Sequence, residues 1–345
     1  MYAYLGKGIL MPDRLRIGLL GAGRIGKVHA TTLVQRVPDA ELVAIADPQI
    51  EAAQRLADQL RVPHVSPDAH TILSDPNIDA VLICTPTASH PALIADAAAA
   101  GKHIFCEKPV ALDLESHDTA VAAAEAAGVK LQIGFNRRFD ANFARMRQAV
   151  IDDEIGQVEL LHIISRDPAP PSLDYLRTSG GIFLDMTIHD FDMARFLTGS
   201  EIVQVYAQGA VLIDPAIATV GDIDTHVTLL RFANGAIGSI DNSRRAGFGY
   251  DQRAEMLGSR GAIQASNNYP NNVVISTNKI VQRDLPLNFF MQRYVEAFAN
   301  EIAAFVRSVR EDLPVAVSGA DARAALAVAL AAQRSHTEQR PISLA

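Results

Sequence analysis

Two short stretches carry residues able to move a proton: Glu107-Lys108-Pro109 and, further along the chain, Asp185-Met186-Thr187-Ile188-His189. A histidine with a reference pKa of about 6.5 is matched to taking a hydroxyl proton near neutrality. A lysine ammonium can bind the same oxygen and stabilise developing alkoxide charge. A carboxylate one helical turn from the histidine can orient the imidazole or hold a neighbouring hydroxyl. Held beside a nicotinamide, these groups are the parts needed to oxidise an alcohol. Taken alone, Lys108 reads equally as a surface lysine before a proline turn. Asp185 and His189 alone read as a solvated helix face. The elements around them have to decide.

The first half reads as a nucleotide-binding sheet. Leu15 to Leu20 is an apolar run ending in Gly21-Ala22-Gly23-Arg24-Ile25-Gly26 and passing into a helical stretch. Gly21 permits the tight turn, Gly23 lets backbone approach a pyrophosphate, and Gly26 lets the helix pack on the strand. The helix start offers unpaired N–H groups to phosphates. A second run, Glu41 to Ala46, ends in Asp47, placed to bind the adenosine ribose hydroxyls or else to serve as a turn residue before Pro48. An acid there repels the extra phosphate of NADP, so NAD is the expected cofactor. Further alternation follows: a helix over 49–60, a strand over 80–84, a helix over 89–100, a strand over 102–105, a helix over 114–127 and a strand over 130–134. Strands alternating with helices imply a doubly wound parallel sheet, an α/β Rossmann domain over 14–134. Ligands sit beyond the carboxyl ends of such strands. Thr85 and Pro86, Glu107 and Lys108, and Asn136 and Arg137 all fall there. Glu107 could reach the nicotinamide ribose, and His90 reads as either cofactor-proximal or a helix cap.

From 135 to 345 the pattern changes to an α+β domain with a large, mainly antiparallel open sheet. Strand character appears over 157–166, 202–212, 223–232, 236–245, 253–258 and 272–276, with Asn234-Gly235 as a hairpin turn. After Gly180-Gly181, apolar Leu184, Ile188 and Phe191 fall at helical spacing, with Gly199 as the stop. On that helix Asp185 and His189 share one face, which Asp192 extends. Helices over 289–309 and 319–336 pack on the second sheet or return to the first domain.

These residues resemble the Gfo/Idh/MocA family of oxidoreductases, and within it the inositol 2-dehydrogenase branch. The resemblance runs from Arg14 to the C-terminus and rests on five stretches. They are Gly21 through His29, Thr85 through His90, Phe105 through Pro109, Gly134 through Asp140 and Gly181 through Asp192. It implies Lys108, Asp185 and His189 as the catalytic set, and polyol contacts from Asn136, Arg137, Asp167 and Tyr250. On the residues alone, Arg137 reads equally as a solvated charge, and Asp167 and Tyr250 as loop polar residues. Some relatives carry asparagine at the position of Asp167 and methionine at that of Asn136. The implied reaction is NAD-dependent oxidation of a cyclic polyol, myo-inositol or scyllo-inositol, to an inosose, in a homo-oligomer, dimer or tetramer. Alternatives are an aldose dehydrogenase and a noncatalytic NAD-binding regulator of the same fold.

Composition agrees with these expectations. A chain of 345 residues suggests two domains, and its 49% hydrophobic content supplies cores for both. A formal net charge of -8 argues against a phosphate-neutralising or membrane-binding surface, so no nucleic acid or membrane partner is expected. No stretch approaches the roughly 20 apolar residues of a membrane helix. Residues 1–13 read as a disordered extension without signal-peptide features, with Met11 as an alternative start. The only cysteines, Cys84 and Cys106, sit in apolar runs and read as buried free thiols, fitting a reducing cytoplasm. The histidines show no metal-ligand spacing, and no metal is expected.

Overall fold

The computed structural model describes residues 14–344, so the extension expected over 1–13 lies outside the described residues. Along the first half run β1 (Leu15–Leu20), α1 (Arg24–Arg36), β2 (Ala40–Ala46), α2 (Ile50–Leu60), β3 (His64–Ser66) and α3 (Ala69–Leu73). They are followed by β4 (Ala80–Ile83), α4 (His90–Ala99), β5 (His103–Glu107), α5 (Leu114–Ala126) and β6 (Leu131–Gly134). Their strands form one six-stranded parallel sheet in the order β3-β2-β1-β4-β5-β6. Helices cover both faces, which is why β1, β4 and β5 are apolar without alternation. The winding reverses between β1 and β4, opening the ligand crevice beyond their carboxyl ends. The doubly wound sheet expected from the sequence is thus present, with the short strand β3 added at its edge.

The second half begins with α6 (Ala141–Ile151), β7 (Val158–Arg166), α7 (Leu173–Leu176), a π-turn (Phe183–Thr187) and α8 (Ile188–Thr198). Strands β8 (Ile202–Ala210), β9 (Thr225–Phe232), β10 (Ile237–Ser243), β11 (Asp251–Gly258) and β12 (Gly261–Ala265) come next. The chain ends through β13 (Val274–Ser276), β14 (Val281–Arg283), α9 (Phe290–Arg293), α10 (Val295–Arg310), α11 (Gly319–Glu338) and β15 (Ile342–Ser343). Seven strands form the second sheet, in the order β12-β11-β7-β10-β9-β8-β15. Only the β7–β10 pair is parallel. At the β9–β10 hairpin Gly235 adopts φ +91° and the Asn234 side chain accepts the Ala236 N–H, as the Asn-Gly pair requires.

Three expectations are corrected. The strand expected over 272–276 does not join the large sheet; β13 pairs only with β14 in an exposed ribbon, set apart by the Asn-rich stretch around Pro270. The helix expected over 289–309 breaks at Tyr294, whose ring is buried edge-on against Tyr250. The helix expected from 184 opens as a π-turn, where Thr187 Oγ1 reaches back five residues to the Ile182 carbonyl at 3.2 Å.

Helix α10 packs on the first sheet: Ile302, Phe305 and Val306 join Leu19, Leu33 and Phe105 in one apolar cluster. Helix α11, started by a Ser318/Asp321 capping box, lies against β8, α8 and α5. The second cluster is continuous from the α4–α5 side of the first sheet to the inner face of the second. That continuity fixes β5 and the π-turn relative to each other.

Candidate active site

The glycine turn after β1 has the shape a dinucleotide needs. Gly21 adopts φ +98°, and a Cβ there would lie 2.7 Å from the Cys84 carbonyl oxygen. A Cβ at Gly26 would lie 2.0 Å from the Gly21 oxygen, so close packing of α1 on the turn demands glycine. Gly23, by contrast, faces open space and caps α1 without a side-chain bond or an acid in the first turn. Its helix N–H groups are therefore free to meet phosphate. Asp47 stands at the end of β2, with Oδ2 accepting the Ala22 N–H at 2.7 Å and Oδ1 the Gln49 N–H at 2.8 Å. Ile25 packs inward, while the exposed Arg24 guanidinium lies 5.9 Å from the Phe290 ring centroid. This cradle fits NAD by shape and by its single acid.

Around it, loops from neighbouring strands are tied together. The buried His90 ring places Nε2 2.8 Å from the Thr85 carbonyl oxygen and Nδ1 2.8 Å from that of Pro109, linking the ends of β4 and β5. Its position at the start of α4 is therefore used as a clamp between loops. Thr85 Oγ1 and the Pro86 carbonyl both accept from Ser89 Oγ. Glu107, expected at the nicotinamide ribose, is turned inward: Oε1 pairs with His29 Nε2 at 2.6 Å and Oε2 accepts the Lys108 N–H at 3.2 Å. The Lys108-Pro109 peptide is cis.

Lys108 projects from the end of β5 to the π-turn. Its Nζ donates to the Asp185 carbonyl at 2.6 Å and lies 3.8 Å from Asp185 Oδ1. The Asp185 carboxylate is further held by Tyr175 Oη, donating to Oδ1 at 2.7 Å, and by Arg244 Nη1, donating to Oδ2 at 3.2 Å. Burial and the Asp185 charge keep the Tyr175 phenol protonated. Arg244, almost wholly buried, also lies 3.6 Å from Asp222 Oδ2. None of Tyr175, Asp222 and Arg244 was expected from the sequence. Tyr175 comes from α7, Asp222 from the loop before β9 and Arg244 from just past β10, and only tertiary pairing unites them.

His189 follows at the start of α8, its ring edge-on to Phe135 at 5.7 Å and its Nδ1 buried without a partner. Burial, then Lys108 and Arg137, hold its pKa well below the ordinary value. The imidazole is therefore neutral and able to accept a proton. Of the two roles expected for Asp185, orienting the imidazole or holding a neighbouring hydroxyl, the first has no bond behind it, because no hydrogen bond joins Asp185 to His189. The π-turn widens the helix between them, and Tyr175 and Arg244 occupy the carboxylate. The Asp192 carboxylate is taken up by Arg138, which donates to it at 2.6 and 2.9 Å.

Arg137 is buried and donates to Asp190 Oδ1 at 2.5 Å. Burial opposes its charge, but Asp190 and other neighbours outweigh that, and its pKa is raised. Asn136 is buried in the same turn. Burial pushes the Asp167 carboxyl up to about 6, with Arg244, Asp185, Arg137 and Asp190 as its charged neighbours. Tyr250 is buried against Phe289 and Tyr294, near Arg137 and Asp167. Cys84 and Cys106 are both free and buried. Among the described residues no helix is long and apolar enough to cross a membrane.

A glycine cradle and an acid after β2 at the crevice of a parallel sheet, with a lysine, an acid and a neutral histidine beside it, define a dinucleotide-dependent oxidoreductase. Residues 15–135 match the model of the oxidoreductase family with an NAD-binding Rossmann fold, and residues 143–264 match the GFO/IDH/MocA C-terminal domain. The chain is 50% identical to an inositol 2-dehydrogenase of Rhizobium meliloti, covering 96% of this chain and 99% of that one. It is 46% identical to a myo-inositol 2-dehydrogenase of Thermotoga maritima, covering 96% and 98%. Scyllo-inositol dehydrogenase from Lactobacillus casei, solved with NAD(H) and scyllo-inositol, superposes with a TM-score of 0.89 at 31% identity, covering 96% and 99%. The chain belongs to the Gfo/Idh/MocA family of oxidoreductases, and NAD is its cofactor.

Proposed function

We propose that the protein oxidises a secondary hydroxyl of a cyclic polyol, myo-inositol or scyllo-inositol, to the ketone. The observation that carries this reading is the meeting of Lys108 and Asp185, at 2.6 and 3.8 Å, beside the neutral His189. NAD, when bound, supplies the hydride acceptor at nicotinamide C4. Lys108 donates to the reacting oxygen and stabilises its developing negative charge. His189 takes the hydroxyl proton, and Asp185, held by Tyr175 and Arg244, fixes the lysine and binds an adjoining hydroxyl. Arg137, Asn136, Asp167 and Tyr250 supply the remaining polyol contacts. The inositol names of the relatives at 46% and 50% identity favour this substrate class over an aldose.

The same reading includes a homo-oligomer. Strand register places Leu257, Leu160 and Ile237 side by side on the outer face of the second sheet, with Leu229 and Val227 on the adjoining strand. All five are 42 to 54% exposed, and with Arg231, Ser239, His162 and Asp241 set among them they form a mixed apolar and polar face suited to burial against a second copy.

The test is NADH formation by purified protein with a panel of inositols and aldoses, using NAD and NADP in parallel. Turnover of an inositol with NAD is expected, and Lys108→Ala should lower kcat by about 10²–10³-fold, the usual loss of an oxyanion-stabilising donor. Absence of polyol turnover with NAD binding intact would favour the noncatalytic regulator instead.

A further inference from the structure

Behind Arg137 lies a chain of buried polar groups that the proposed chemistry does not use. Thr228 Oγ1 is 3.1 Å from His226 Nδ1, and His226 Nε2 is 2.7 Å from Thr187 Oγ1. Thr187 Oγ1 is 2.7 Å from Asn242 Oδ1, and Asn242 Nδ2 is 3.1 Å from Asp190 Oδ2. Asp190 Oδ1 then meets Arg137 Nη1. Thr187, Asp190, Thr228 and Asn242 have no exposed surface, and His226 is 2% exposed.

Burial pushes the Asp190 carboxyl up and the Arg137 guanidinium on its Oδ1 opposes that; with the carboxylate ionised, the hydrogens of this chain run in one direction. An ionised Asp190 accepts at both oxygens, so the Asn242 atom facing it must be the amide nitrogen. The Asn242 oxygen then faces Thr187, and that hydroxyl's single proton goes to it at 2.7 Å or to the Ile182 carbonyl at 3.2 Å, in either case away from His226. Thr187 has none left for His226, so His226 Nε2 carries the hydrogen and donates. Its Nδ1 is left with a lone pair, which accepts from Thr228. Burial lowers the His226 pKa to about 3, which leaves the ring one N–H, as the polarity requires.

We propose that Thr187 and Asn242 are positioning residues that act through Asp190 to set the Arg137 guanidinium for polyol binding. This rests on the assignment of Arg137 as a polyol contact. Arg137 has one carboxylate partner and a long 3.4 Å contact to Ser165 Oγ, so its aim follows that of Asp190. Without the amide of Asn242, the buried Asp190 Oδ2 loses that donor, and only Ser165 and Arg137 are left to hold the carboxylate's orientation. The chain also joins β9 and β10 to the π-turn, so the turn carrying Asp185 and the helix carrying Asp190 share one support.

The experiment compares Thr187→Val, which keeps the shape and removes the hydroxyl, with Thr187→Ser, which keeps the hydroxyl. Asn242→Leu is the second break. For Thr187→Val and Asn242→Leu the polyol KM should rise about tenfold, the equivalent of one buried hydrogen bond, with NAD affinity unchanged and a smaller effect on kcat. Thr187→Ser should stay within about twofold of the parent, as expected when the polar contact is retained. In an Arg137→Lys background, Thr187→Val should add nothing further to KM. A Thr187→Val enzyme with the parent KM overturns the proposal. Equal losses in the serine and valine variants would do so too, since packing rather than the hydroxyl would then matter. Nitrogen-15 NMR of histidine-labelled parent protein tests the chain without any variant: a neutral Nε2–H tautomer is expected for His226. An Nδ1–H tautomer or a charged ring overturns the assigned direction. If the parent turns over no polyol, the functional reading fails, while the tautomer result still judges the chain.

Discussion

His189 and Asp167 sit in the same cleft, yet their surroundings move them to different protonation ranges. Burial, Lys108 and Arg137 all disfavour the imidazolium, so His189 becomes charged only well below pH 6.5. Burial disfavours the Asp167 carboxylate and raises its pKa to about 6. A general base works when deprotonated, so kcat for polyol oxidation should show no acid limb at about 6.5, the free-histidine value. On the proposed polyol contact, an ionised Asp167 would accept from substrate hydroxyls, so KM should rise as pH falls below about 6. Asp167→Asn should remove that rise while leaving the pH dependence of kcat in place. Steady-state kinetics from pH 5 to 9 would separate the two, and a KM limb surviving in Asp167→Asn would show that another group titrates there.

At the scale of elements, β1, the glycine turn and α1 act as one unit in which two glycines have different tasks. Gly26 lets α1 pack against the turn, and an added methyl would meet backbone at 2.0 Å. Gly26→Ala should therefore lower unfolding stability by about 1–3 kcal/mol, an overpacking cost, and weaken NAD binding as well. Gly23 meets nothing within 4 Å, so Gly23→Ala should leave stability within about 0.5 kcal/mol and weaken NAD binding alone. Denaturant unfolding with a cofactor titration checks both, and normal NAD affinity in Gly23→Ala would show that the backbone does not approach phosphate there. This unit was legible in the sequence because its signals are local, as were the Asn234-Gly235 hairpin and the stop at Gly199, which adopts φ +65°. The π-turn was not, because an apolar spacing of Leu184, Ile188 and Phe191 fits an α-helix equally well. Tyr175, Asp222 and Arg244 escaped for a related reason: their bearing on Asp185 depends on sheet pairing and loop placement that no short motif records. Strands β3 and β15 are too short to show a period.

For the whole molecule, the return of α10 to the first sheet places an acid where neither half alone would hold one. Glu301 has no exposed surface, and neither carboxyl oxygen finds a hydrogen-bond partner among the described residues. Burial, with the Glu107 charge adding to it, raises its pKa well above 4.5, so the folded protein keeps it protonated while the unfolded chain ionises it. Below about pH 4.5 both states hold the proton and the group imposes no pH-dependent cost. Above that, folding must take up a proton, and stability falls as pH rises toward the folded-state pKa, by at most about 1.4 kcal/mol per pH unit. Glu301→Gln has nearly the same shape and no proton to take up. Its stability relative to the parent should therefore grow with pH from about 4.5 upward, whatever constant offset the buried amide introduces. Denaturant unfolding of both proteins at pH 5, 6, 7 and 8 measures that slope. A difference independent of pH would mean that Glu301 is ionised in the folded state.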